Sequence, residues 1–169
     1  MHGITKREYK FKVNNKTMSL SDKTKSILLK RINDSPGIRY RELLRATGFS
    51  NGVMAYHLKK LEESKRIKVR RYDSRSTRFY PLSIAAKELR IIEYIRRRTA
   101  REIVLFLSQY GSRTFKDIVQ VTKKVRSTIS WHLSRLRQGG IISVRMGRNQ
   151  MYRLKNRDLV IRVMKKIKS

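Results

Sequence analysis

Shifted by 75 residues, the chain lies over itself. Tyr56-His-Leu-Lys-Lys-Leu61 falls on Trp131-His-Leu-Ser-Arg-Leu136, and Tyr40-Arg-Glu-Leu-Leu44 falls on Phe115-Lys-Asp-Ile-Val119. The same shift matches Leu28, Leu29 and Ile32 with Ile103, Val104 and Leu107, and Ile67-Lys-Val-Arg70 with Ile142-Ser-Val-Arg145. No gap is needed until about residue 72, where the first copy is expected to carry three extra residues. A tandem repeat of one supersecondary unit divides the 169 residues into two small modules and removes the option of one ordinary domain.

Each copy reads as helix, short extended segment, helix, turn, helix and hairpin. In the first, Ser21 or Asp22 caps a helix with Ile27, Leu28 and Ile32 on one face, stopped by Asp34-Ser-Pro-Gly37. Ile38-Arg39 suits a short strand, and Arg41 to Thr47 a short helix that Gly48 ends in the left-handed conformation. Ser50 opens a third helix reaching about Ser64, with Met54, Leu58 and Leu61 as its buried stripe. Ile67–Arg71 and Thr77–Leu82 alternate as two strands around a polar loop. In the second copy, Thr114-Phe-Lys-Asp117 is a capping box, Ile129, Leu133 and Leu136 form the stripe, and Gly139-Gly140 ends the helix. Strands over Ile141–Met146 and Gln150–Leu154 flank the basic turn Gly147-Arg148-Asn149.

The expected fold is α+β and mainly helical, with two winged modules joined by a linker helix. The divisions fall at 1–20 (a basic arm), 21–83 (first module), 84–98 (linker helix), 99–155 (second module) and 156–169 (a basic C-terminal helix). Leu89, Ile92 and Ile95 give the linker its helical face, and Leu159, Val163 and Ile167 do the same for the C-terminal helix. Charge follows the repeat. The chain carries 43 Lys and Arg against 12 Asp and Glu, a formal +31, of which +10 lies on residues 21–83 and +9 on 111–154. The folded segments are themselves basic, which points to a polyanionic partner.

Two helices joined by a tight turn and followed by a two-stranded hairpin make a winged helix-turn-helix. The second helix of the turn fits the roughly 12 Å wide major groove of duplex DNA, and the hairpin reaches phosphates or the minor groove. Two copies in register make this reading far stronger than one. Pro36-Gly-Ile-Arg-Tyr-Arg-Glu-Leu-Leu44, Thr47-Gly48 and Ser50-Asn-Gly-Val-Met-Ala-Tyr-His-Leu-Lys-Lys-Leu-Glu62 resemble the winged-helix modules of archaeal ArsR/MarR-like transcription regulators. Thr99-Ala-Arg-Glu-Ile103 and Ser127-Thr-Ile-Ser-Trp-His-Leu-Ser-Arg-Leu136 are similar to the second module of tandem proteins in that group, which includes the archaellum regulators. The resemblance covers about residues 22–154 and implies sequence-specific duplex DNA binding and control of transcription. The cysteine or clustered His and carboxylate ligands of metal-sensing members are missing, and no other effector is suggested.

Rotation by about 100° per residue sorts the third helices. With the stripe inward, Ser127, Trp131, Ser134 and Arg135 point outward, and Arg126 and Ser130 lie on the flank. In the first copy the outward set is Gly52, Tyr56, Lys59 and Lys60. Asn51 and Arg126 are candidates for base edges, whereas Ser50 and Ser127 are at least as well explained as helix caps. His57 and His132 share a repeat position and either pack at the helix flank or donate to a phosphate; their spacing follows from the duplication and not from a metal. Tyr56 and Trp131 either stack near sugar or thymine methyls or bury against another module, with packing favoured. Arg75, Arg78 and Arg148 occupy wing positions where DNA contact is favoured over a solvated charge run. Arg41, Lys123, Lys124 and Arg145 complete the candidate nucleic-acid contacts.

Without cysteine, and with three histidines lacking paired carboxylates at useful spacing, no nucleophile–base constellation assembles, and no Gly-rich phosphate loop is present. The expectation is therefore a non-enzyme with no catalytic residue, metal or cofactor, cytoplasmic and nucleoid-associated, with no membrane partner. Its partner is double-stranded DNA, with a homodimer through the terminal helices or the transcription machinery as further candidates. Two binding readings remain beside the site-specific regulator. One is a low-specificity architectural or chromatin protein, which the net charge favours. The other is a structured-RNA binder, which the narrow RNA major groove disfavours.

Overall fold

The computed structural model describes residues 19–71 and 77–167. Within them the repeat is realised element for element. The first module runs α1 (Leu20–Asp34), β1 (Ile38–Arg39), α2 (Tyr40–Thr47), α3 (Asn51–Glu63), β2 (Ile67–Arg71) and β3 (Thr77–Pro81). After α4 (Ala86–Ile95), the second runs α5 (Arg98–Tyr110), β4 (Arg113–Thr114), α6 (Phe115–Thr122), α7 (Arg126–Gln138), β5 (Ile142–Arg145) and β6 (Met151–Leu154). The C-terminal helix is α8 (Arg157–Lys166). The N-terminal arm expected over 1–20 lies outside the described residues except for Ser19 and Leu20.

Each module closes with a three-stranded antiparallel sheet, ordered β1-β3-β2 in the first and β4-β6-β5 in the second. In the first, Phe79 pairs with both Ile38 and Val69; in the second, Tyr152 pairs with Arg113 and Val144. Ile38 and Val69 shifted by 75 give Arg113 and Val144, but Phe79 and Tyr152 are 73 apart. The first wing is therefore longer by two residues, not three. The extra length is one further strand pair, Arg71 with Thr77, at the hairpin end, where sequence alone offers no register.

Local chemistry sets the boundaries. The α1 cap is Ser19, whose Oγ accepts from the Asp22 backbone N–H, rather than Ser21 or Asp22. Ile27 is left largely exposed, and the buried face of α1 is Thr24, Leu28 and Ile32. Gly48 ends α2 at φ +69°, as glycine permits. Thr114 and Asp117 cap α6 reciprocally, and the backbone and hydroxyl of Thr114 hold the Asp117 carboxyl below its ordinary pKa.

The linker is shorter than expected. Its helix ends at Ile95, and a new helix starts at Arg98. Ile91, Ile92 and Ile95 face inward while Leu89 is half-buried. One apolar core gathers Met54, Leu58, Leu61 and Phe79 under α1 and α2. The other runs from Tyr80 and Ile84 through the linker to Ile129, Leu133, Leu136, Val160 and Val163. The apolar face of α8 is thus used against α4, where Lys166 Nζ also donates to Glu88 Oε1 at 2.7 Å.

Arg96, just past the end of α4, secures the linker to the first module. Its guanidinium donates to Ser35 Oγ (3.0 Å), the Pro36 carbonyl (2.9 Å) and Glu42 Oε2 (2.9 Å). Ile92 and Tyr80 crowd Gly37 so closely that a Cβ there would sit 3.0 Å from each. Only glycine fits both that contact and its φ of +78°.

Candidate nucleic-acid interface

The helices α3 and α7 stand second in each helix-turn-helix, and both bury the expected stripe: Met54, Leu58 and Leu61 in one, Ile129, Leu133 and Leu136 in the other. The opposite faces are open. Ser50, Asn51, Gly52, Tyr56, Lys59 and Lys60 are exposed around α3, as are Arg126, Ser127, Ser130, Trp131, Ser134 and Arg135 on α7. Arg41 on α2, Lys123 and Lys124 in the second turn, and Arg145 and Arg148 on the second wing are also exposed. The structure brings these groups to the surface.

The helix starts differ. Ser50 caps α3 by accepting from the Val53 N–H at 3.4 Å. Its repeat equivalent is Val125, which supplies no side-chain cap, so Ser127 lies inside α7 and the capping role expected for it does not arise. Each first helical residue touches the first residue of the preceding helix. Tyr40 Oη donates to the Asn51 carbonyl at 3.0 Å, and the Arg126 guanidinium lies over the Phe115 ring at 5.4 Å.

His57 and His132 are both 8% exposed, which realises the flank-packing alternative. Burial, with Arg97 nearby, keeps the His132 pKa below its ordinary value. Such an imidazole stays neutral and is poorly placed to donate as a cation to phosphate. Tyr56 is 58% exposed and meets the edge of His57. Trp131 takes the packing alternative in part: Arg97 and Arg135 lie over its ring at 4.8 and 5.8 Å. Arg135 also covers Tyr94 of the linker at 5.4 Å. Sequence reasoning missed Tyr94 and Arg97 here, because the linker packs on α7 through tertiary contact that no repeat position encodes.

Arg78 leaves the candidate set. It is 8% exposed and donates to the Gly37 carbonyl at 2.8 Å, and burial beside Arg39 lowers its pKa. Alternation along β3 breaks at this residue: Arg78, Phe79, Tyr80 and Pro81 are all buried, since the strand is central in its sheet and covered on both faces. Arg75 lies outside the described residues. In the first wing Arg71 is instead locked to Glu62 by two short bonds of 2.7 and 2.6 Å. Lys60 is similarly engaged, donating to Glu63 at 3.1 Å. Arg137, exposed on the same flank of α7 as Arg126 and Ser130 and two turns beyond Ser130, is a further cation on that face.

Among the described residues there is no group of three or more His, Asp or Glu placed to hold a metal ion. No described helix is long and apolar enough to cross a membrane.

Comparison with known proteins follows the division into modules. Residues 97–144 match the model of the bacterial regulatory protein, arsR family, and residues 22–92 match that of an N-terminal HTH domain. Among curated proteins none matches the chain. Solved structures with similar stretches include HlyU from Vibrio cholerae, 18% identical over 47% of this chain and 83% of its own, with a TM-score of 0.42. BigR from Xylella fastidiosa, a transcriptional repressor, is 21% identical over 45% of this chain and 78% of its own, TM-score 0.42. The homodimeric winged helix-turn-helix domain Mb0332 from Mycobacterium bovis is 25% identical over 46% of this chain and 72% of its own, TM-score 0.41. With both modules matched by helix-turn-helix models and each ending in its own hairpin sheet, the chain is a tandem winged helix-turn-helix protein whose second unit is similar to the bacterial regulatory proteins of the arsR family.

Proposed function

We propose that the chain is a sequence-specific, double-stranded DNA-binding transcription regulator, with α3 and α7 in successive major grooves and the wings on the backbone or minor groove. The observation that carries this reading is the duplication itself. Two helices of the same length, buried by the same stripe, turn polar faces outward, that of α7 basic, and the second lies within an arsR-family match. Small residues near the helix starts (Gly52, Ser127, Ser130) allow close approach to base edges, and Asn51 and Arg126 supply donors for them. Arg145 and Arg148 suit phosphates, which position a protein without reading sequence.

An architectural role is the second reading, favoured by the formal +31. Competition between an enriched site and random duplex separates the two. A regulator holds its site at least about 10³-fold more tightly at physiological salt. Near-equal affinity makes the chain a coating protein. In the regulator case Arg148→Ala weakens all sequences alike and lowers the salt slope by about one, whereas Arg126→Ala costs about 1–3 kcal/mol at one base position.

A further inference from the structure

A cleft of about 660 Å³ opens where the two modules meet the linker. Its walls come from three parts of the chain: Arg70 on β2, one face of α4, and the α7–β5 turn with the start of α8. The lining divides by chemistry. Ala86 and Leu159 give an apolar floor over the buried Ile141 and Val160, and Arg70, Lys87 and Arg90 bring three cations to it. The acid among them, Glu93, lies 3.9 Å from the Arg70 guanidinium, a loose pair that leaves the cleft net positive.

The cleft is unsuited to duplex DNA. It adjoins the C-terminal end of α7, and 13 residues at about 1.5 Å each put the start of that helix about 20 Å away. Its volume falls within the roughly 300–1,000 Å³ of small-molecule sites, and an apolar floor beside a few cations is the lining such sites have. We propose that this cleft binds a small amphiphilic anion, an aromatic or aliphatic body bearing one acidic group, as an effector that alters DNA binding. The body lies on Ala86 and Leu159 while Arg70, Lys87 and Arg90 hold the head group. Tyr94, another lining residue, also carries the Arg135 that covers Trp131, so the occupant sits one side chain from the exposed face of α7.

The effector role rests on the DNA-binding reading above; the site itself does not. Anilinonaphthalene sulfonate is a suitable probe, because the chain has one tryptophan and Trp131 lies near enough to transfer excitation to it. With the full chain and no DNA, the probe is expected to saturate one site and quench Trp131. Lys87→Glu with Arg90→Glu should weaken it by roughly tenfold or more. The uncharged analogue phenylnaphthylamine should bind wild type and this variant alike, and Lys30→Glu, outside the cleft, should leave the sulfonate unaffected. Non-saturating uptake, or equal loss in Lys30→Glu, overturns the site. Saturating probe should then change affinity for an enriched DNA site several-fold; an unchanged affinity overturns the effector role. Absence of any preferred DNA site counts against the regulator reading, while the probe titration still decides the cleft.

Discussion

The helices α3 and α7 are the same object seen from the core and different objects seen from solvent. Inward, Met54, Leu58 and Leu61 repeat as Ile129, Leu133 and Leu136, and His57 repeats as His132 at equal exposure. Outward, α3 carries Lys59 and Lys60 against Glu62 and Glu63 and sums to zero, whereas α7 carries Arg126, Arg135 and Arg137 with no acid. The lysines of α3 are held by Glu63, and Glu62 is taken by the wing. The aromatic position diverges as well, with Tyr56 open and Trp131 clasped from the linker side. Duplication therefore kept what packing needs and let the exposed faces part, so the modules are matched in scaffold and unequal as docking surfaces.

The largest effects test the shared part. Leu58→Ala and Leu133→Ala each remove a nearly fully buried side chain, and each should cost about 2–5 kcal/mol in urea unfolding. A near-neutral result for either would mean that its stripe is not packed as its twin is. The unequal part comes next. Arg137→Ala should by itself lower the slope of log affinity against log salt by about one, and Lys59→Ala with Lys60→Ala together by less, because Glu63 already neutralises much of that pair. Equal slopes would erase the difference between the helices.

The smallest effect concerns two backbone positions at which the modules exchange residues. Gly48 (φ +69°) corresponds to Lys123 (φ +51°), and Lys65 (φ +52°) to Gly140 (φ +69°). The fold demands left-handed backbone at both sites, and each module meets one demand with glycine and the other with a strained lysine. Nothing lies within 4 Å of a Cβ built at Gly48, so only backbone strain is at stake there. Gly48→Ala should cost about 1 kcal/mol and Lys123→Gly should gain up to about as much, read from paired melting curves. A gain from Gly48→Ala would refute the strain account.

What the sequence made legible is what the repeat and local chemistry determine: the element order, the buried stripes, the Gly48 stop and the Thr114 capping box. What it hid depends on contacts between elements. Arg78 looked like a wing cation because alternation predicts exposure, yet its strand is central and its guanidinium serves the Gly37 carbonyl. Ser127 looked like a cap because serine often is one, but the repeat places Val125 there. The linker reads as one helix over 84–98 because Leu89, Ile92 and Ile95 recur at helical spacing. Its break after Ile95 is instead accompanied by Arg96 reaching across to Ser35, Pro36 and Glu42.

That last arrangement has a consequence for DNA phasing. The linker is fastened to the first module through Arg96 and to α8 through the Glu88–Lys166 pair, so on the proposed reading the spacing between α3 and α7 is set by side-chain contacts and not by chain slack. B-DNA turns about 34–36° per base pair at 10–10.5 base pairs per turn. Each inserted base pair must then be absorbed by twisting the duplex or by breaking one of those ties, and a half-turn insertion carries the second target to the opposite side of the helix. On the proposed reading the tandem protein would act as a phase gauge, and the contacts that calibrate it lie in neither α3 nor α7.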